Sequence, residues 1–175
     1  MIQNHNIIFN LSIIQSFNLS IFQSFQSFQS HKTMNSSTIP HKMLSQDAFS
    51  QWLGITILES EIGKCKVGMT VRKDMLNSMG KAHGGITFAL ADTAFGFAAN
   101  ALGKYAVSIE TSINHIEAVS EGDYLTAVSV IEKSKNKLGF HIIEVRRHTA
   151  NNQEPDELVA LFKGVVFRTQ KDWEI

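Results

Sequence analysis

The chain has a single cysteine, Cys65, among its 175 residues. One thiol excludes a disulfide within the chain and argues against a cysteine-based metal site. It suits a reducing compartment, and the cytoplasm is the expected location. Net charge is missing as well: Lys plus Arg and Asp plus Glu are both 16. Without a basic surplus no broad nucleic-acid face is implied, and no nucleic-acid partner is expected. No run of about 18 apolar residues occurs, so neither a spanning helix nor a membrane partner is expected. The histidines (His5, His31, His41, His83, His115, His141 and His148) show no spacing typical of a zinc site, and no metal is expected. What is present is a 43% hydrophobic content, enough to build one core in a chain of this length.

Residues 1–31 lack Asp, Glu, Lys and Arg altogether and repeat "FQS" three times from Phe22. Phe22, Phe25 and Phe28 mimic a weak amphipathic helix. A signal peptide needs a basic start and an unbroken apolar run, and this stretch has neither. The expectation is a low-complexity extension over 1–33, disordered or not part of the native protein, with Met34 and Met43 as candidate starts. A single domain over 34–175 follows.

In that domain "LSQDAFSQWLGI" (44–55) places Ala48, Trp52 and Leu53 on one helical face, with Ser45 as N-cap and Gly54 as the stop. Residues 55–60 and 64–71 read as strands. In the second, Cys65, Val67, Met69 and Val71 alternate with polar or small residues. Residues 72–83 read as a loop and 84–102 as a long helix. Period-two segments follow, with Val107, Ile109 and Ile113 expected to point one way. "SEGD" and "KSKNK" supply turns, and 149–156 a loop. Short helix, two strands, long helix and about four hairpin-linked strands give an α+β fold: an antiparallel sheet with the long helix packed on one face.

The long helix is apolar nearly all round, as a buried helix is, yet Asp92 lies in its middle. Positions 85, 89, 92, 96 and 100 form one stripe of Gly, Ala, Asp, Gly and Asn, small enough for something to approach the backbone. Ile86, Leu90, Phe97 and Ala101 form a second stripe suited to the sheet, and Phe88 and Phe95 add bulk on a third. A buried carboxylate must be solvated, hydrogen-bonded or protonated. It is either a structural acid bonded to a neighbour or a reactive one. At the helix start, "HGG" offers unpaired amides, close approach and the positive end of the dipole, a setting for an oxyanion. The competing reading is a flexible loop-to-helix joint. Gly84 and Asp92 are eight residues apart, about 12 Å along the axis. One carbonyl cannot touch both in one subunit. Two antiparallel helices across a two-fold axis would make two equivalent sites.

The motif "N-x5-HGG-x5-AD" within "NSMGKAHGGITFALADTAFGFAAN", followed by a strand-rich half, resembles the hotdog-fold acyl-CoA thioesterases, above all those of phenylacetic acid degradation (PaaI-type). The resemblance spans roughly residues 45–169. It implies a long helix wrapped by an antiparallel sheet, a homodimer or a dimer-of-dimers tetramer, an acyl-CoA substrate and no cofactor. Position by position, it implies Asp92 as general base or nucleophile and Gly84 N–H as the group that polarises the carbonyl. Asn77 would position carbonyl or water. His83 would support the loop or stand as a satisfied structural histidine. Gly85, Phe88 and Thr93 are substrate-side candidates, although Thr93 also reads as a cap on a helix carbonyl. Lys133, Lys135, Lys137, Arg146 and Arg147 are basic residues considered for the coenzyme A phosphates without firm assignment, since exposed Lys is commonly just solvated. The alternatives are a hotdog dehydratase or hydratase and a non-catalytic acyl-CoA-binding module.

Overall fold

The computed structural model describes residues 38–148 and 156–174. The expected extension over 1–33 and nearly all of the 149–156 loop lie outside the described residues. A helical stretch, α1 (38–46), runs up to Asp47, which caps α2 (Ala48–Leu53). The Asp47 carboxylate accepts from Phe49 N–H at 3.1 Å and Ser50 N–H at 3.0 Å. Ser45, the expected cap, is instead inside α1, where its hydroxyl donates to Lys42 O. The break falls two residues later because only there do two free amides meet an acidic side chain. Gly54 ends α2 as expected, with φ 75°. The expected buried face is only partly right. Leu53 is buried, but Trp52 is 50% exposed and stacks on Phe49, 56% exposed, beneath the Arg72 guanidinium.

The remaining elements are β1 (Thr56–Glu61), β2 (Lys64–Thr70), a 3-10 turn (Lys73–Met75), α3 (Gly84–Asn100), β3 (Lys104–His115), β4 (Tyr124–Lys135), β5 (Leu138–Arg147) and β6 (Glu157–Asp172). The strands form one six-stranded sheet in the order β1-β2-β4-β5-β6-β3, antiparallel throughout. Its inner face packs on α3, which touches β2 to β6. Cys65, Val67, Met69 and Val71 all point into this core, as their alternation predicts. They meet Leu90, Phe95, Leu125, Ile143, Val145 and Phe162. Phe95 lies over Gly164, where a Cβ would come within 2.6 Å of the ring. Glycine at 164 is what lets the helix and β6 approach this closely. His141 is buried beside Phe95, its Nδ1 3.1 Å from Ser129 Oγ. Burial, and secondarily the Arg168 charge, push it down to about 4.

Two expectations fail here for physical reasons. Val107 and Ile109 are exposed, whereas Ile113 packs against the core. The register against β6 shifts between Ser108 and Glu110, and that bulge reverses the phase of the alternation. Asn100 does not extend the open stripe of α3. It is buried, with Nδ2 donating to Gly96 O and Ala106 O, and Oδ1 accepting from Ala106 N–H and the Trp173 indole. Both ends of its amide are filled, and it clamps the end of α3 to the start of β3 and the C-terminal segment.

Candidate active site

The loop before α3 is tied down by its backbone. Leu76 and Ala82 form an isolated bridge, His83 N–H donates to Met75 O, and Ala82 N–H donates to Val119 O. Asn77 braces the turn: its Oδ1 accepts from Met79 N–H at 2.9 Å and Lys81 N–H at 3.1 Å. Both partners are donors, which fixes the orientation of the amide. Asn77 Nδ2 is left as a donor without a partner among the described residues. His83 is the N-cap of α3, its Nδ1 accepting from Gly85 N–H at 3.0 Å, so the ring proton of the neutral imidazole sits on Nε2. Gly84 N–H, one of the amides a helix start cannot pair internally, has no partner among the described residues.

The reason residue 84 is glycine lies across the chain in β3. A Cβ there would sit 3.0 Å from His115 Nε2. His115 Nδ1 is 3.2 Å from Thr87 Oγ1, and Thr87 donates to Gly84 O at 3.0 Å. Sequence reasoning noted His115 only for its lack of metal spacing. Its contact with Gly84 depends on β3 passing the helix start, 31 positions further along the chain, and no local signal carries that.

Asp92 is half-buried on the face of α3 that the sheet does not cover. No described residue hydrogen-bonds or ion-pairs with it. Burial pushes its carboxyl above the ordinary value of 3.8. It opens into a groove of about 410 Å³ between α3 and the α1–α2 segment. Gly85, Phe88 and Thr93 line the same groove, together with Ala89 and Gly96 of the small stripe. Met43, Phe49 and Phe97 supply most of the remaining apolar wall, and Asp47 and Ser50 a polar corner. Thr93 does not cap a helix carbonyl; its Oγ1 lies 3.2 Å from Ser50 Oγ. Met43, Asp47, Phe49 and Ser50 escaped the sequence reading. The one available signal was that α2, six residues long, carries large apolar groups on more than one side.

Asn77, His83 and Gly84 do not line this groove. The structure therefore brings Asp92 together with Gly85, Phe88 and Thr93, and leaves the amide end of the motif about 12 Å away along the helix axis. Of the basic residues, Arg146 pairs with Glu144 at 2.9 Å, and Arg147 pairs with Asp123 at 3.0 Å and with Glu157. Lys133, Lys135 and Lys137 are exposed around the β4–β5 turn. Among the described residues no group of three or more His, Cys, Asp or Glu could hold a metal ion, and no helix is long and apolar enough to cross a membrane.

The thioesterase superfamily model matches residues 79–151. The acyl-coenzyme A thioesterase PaaI of Escherichia coli is 37% identical over 135 residues, 77% of this chain and 90% of that protein. The chain belongs to the thioesterase superfamily. A putative esterase of Archaeoglobus fulgidus is 40% identical over 131 residues of this thioesterase, 75% of the chain and 81% of the relative. Among solved structures, the E. coli PaaI protein from the phenylacetic acid degradation operon superposes with a TM-score of 0.74 at 34% identity, covering 80% of this chain and 97% of that one. A Streptococcus mutans protein bound to acetyl CoA superposes with a TM-score of 0.62 at 25% identity, covering 68% and 91%. The fold of this thioesterase is the hotdog, a sheet wrapped on one long helix, and the enzyme is a PaaI-type thioester hydrolase.

Proposed function

We propose that this thioesterase hydrolyses acyl-CoA to the free acid and coenzyme A, with Asp92 as general base or nucleophile and Gly84 N–H as the oxyanion donor of the partner subunit. The observation that carries the reading is Asp92 itself: a carboxylate without a partner among the described residues, held in a largely apolar groove by a helix otherwise filled with core residues. A carboxylate kept in that setting without a compensating bond is a mark of chemistry rather than of stability. In the base form, water attacks the thioester carbon while Asp92 takes its proton. Charge grows on the carbonyl oxygen, and Gly84 N–H receives it, aided by Asn77 Nδ2. The C–S bond then breaks, and the departing thiolate takes the proton from Asp92.

The 12 Å offset, estimated from helix rise, requires a second copy. Two α3 helices related by a two-fold axis would set Gly84 of one against Asp92 of the other, and the small stripe would leave room for substrate between them. The aromatic and methionine walls of the groove suit an aryl or short apolar acyl group. The proposed location is the cytoplasm, whose reducing conditions suit a chain with one free cysteine, Cys65. Burial pushes the Cys65 thiol up to about 12.

The test is a panel of aryl-acetyl, benzoyl-type and medium-chain acyl-CoA esters, with released coenzyme A read by a thiol reagent. Wild type is expected to release it, and Asp92→Ala to lose roughly 100- to 10,000-fold in rate. Full activity in Asp92→Ala would overturn the mechanism. The burial of Cys65 keeps the protein's own thiol out of the reading.

A further inference from the structure

One polar chain in the Asp92 groove belongs to neither the motif nor the capping of α3. Ser50, 1% exposed, lies between two groups: its Oγ is 2.6 Å from Asp47 Oδ2 and 3.2 Å from Thr93 Oγ1. The directions of these bonds follow from the chemistry of the groups. A carboxylate has no proton to give, so Ser50 O–H donates to Asp47. With its proton so engaged, the Ser50 oxygen accepts, and Thr93 O–H is the donor. Thr93 Oγ1 is then left with its remaining lone pair and no proton for the groove.

Asp92 and Thr93 are consecutive on α3 and line the same groove. A water that attacks a carbonyl carbon must aim a lone pair at it, and its two hydrogens must both point elsewhere. Asp92 takes one. An acceptor that cannot itself donate is what the other needs, since a freely turning hydroxyl would as readily give a proton to the water and turn its lone pair away.

We propose that Thr93 Oγ1, its proton held by Ser50 and Asp47, accepts the second hydrogen of the hydrolytic water and so fixes the face it presents to the thioester. This deepens the reading of Asp92 as the base and rests on it. Thr93 touches the water; Ser50 and Asp47 are positioning residues that act through Thr93. The same bonds also tether α2 to α3, and the experiment has to separate the two roles.

The experiment is steady-state kinetics on the best ester of the panel, with thermal melting of each variant. Thr93→Val is expected to lower kcat at least tenfold with KM within twofold, and Thr93→Ser, which keeps the acceptor, to recover most of the rate. Ser50→Ala frees the Thr93 proton to turn toward the water, and an intermediate fall in kcat is expected. The double variant Ser50→Ala/Thr93→Val is expected to be no slower than Thr93→Val, because the groups act as a unit. A tether alone would instead lower the melting temperature of both single variants and raise KM while leaving kcat in place, and that result overturns the proposal. Independent, multiplying losses in the double variant overturn it too. If Thr93→Val does not fold, Thr93→Ala and Ser50→Ala carry the same comparison. A wild type that is active and dependent on Asp92 but indifferent to Thr93 sinks this inference alone. A wild type inactive on every ester sinks the hydrolase reading and this inference with it.

Discussion

Asp92 is half-buried against its own interest, and the sign of the consequence can be worked out. Its folded-state carboxyl titrates above the ordinary value of 3.8, so between the two values the folded chain binds more protons than the unfolded one. The stability it contributes is fully present below that ordinary value and drains away as pH rises through the folded one. At neutral pH the ionised carboxylate is therefore a net liability to folding. Asp92→Asn is expected to melt at a higher temperature than wild type at pH 7, with the difference shrinking as pH falls toward the ordinary carboxylate range. Melts across that range check it, and a lower-melting Asp92→Asn at neutral pH would show that the acid is structural. The wild-type rate is expected to rise with pH along a limb centred above the usual carboxylate value, since only the ionised form accepts a proton.

Elements show which parts of this molecule can be read from local pattern and which cannot. The Asp92 helix was legible because seventeen residues with few polar positions stand out against any background, and the small stripe set its open face. Strand β2 was legible because its alternation is unbroken. Strand β3 was not: its bulge adds one residue, and from that point every side chain belongs to the other face. Asn100 fits the spacing of the small stripe, yet its role is set by Ala106 and Trp173, which spacing within one helix cannot report. The same limit hid Ser50 and His115, whose partners come from other elements. Close packing of α3 on β6 offers the test at this scale. Gly164→Ala would drive a methyl into the Phe95 ring, and a loss of about 1–3 kcal/mol is expected. Urea unfolding reads it, and an unchanged midpoint would mean that the ring has room to move.

Over the whole molecule, hairpins between β1 and β2 and between β4 and β5 follow from short turns, and β5 pairs with β6 across the 149–156 loop, but the sheet order does not follow from such local signals. The chain leaves α3, lays β3 at the far edge beside β6, and returns to place β4 against β2. Those pairings join residues far apart in sequence and leave no local trace. They put β3 at the rim, with its own Val107 and Ile109 53% and 57% exposed. Ile109→Lys is expected to lower the assembled fraction on size exclusion and the hydrolysis rate together, because each proposed site takes its amide from one subunit and its acid from the other. Loss of assembly with full activity retained would refute the shared site.

The rim formed by β3 also bears on the concentration at which this chain is handled. An edge strand of twelve residues that carries exposed Val and Ile is an invitation to pair with another chain. If the pair that forms there is the native one, folding and association are a single mass-action process. Each tenfold rise in concentration then adds about 1.4 kcal/mol to the apparent stability of a dimer, so dilution itself becomes a denaturant.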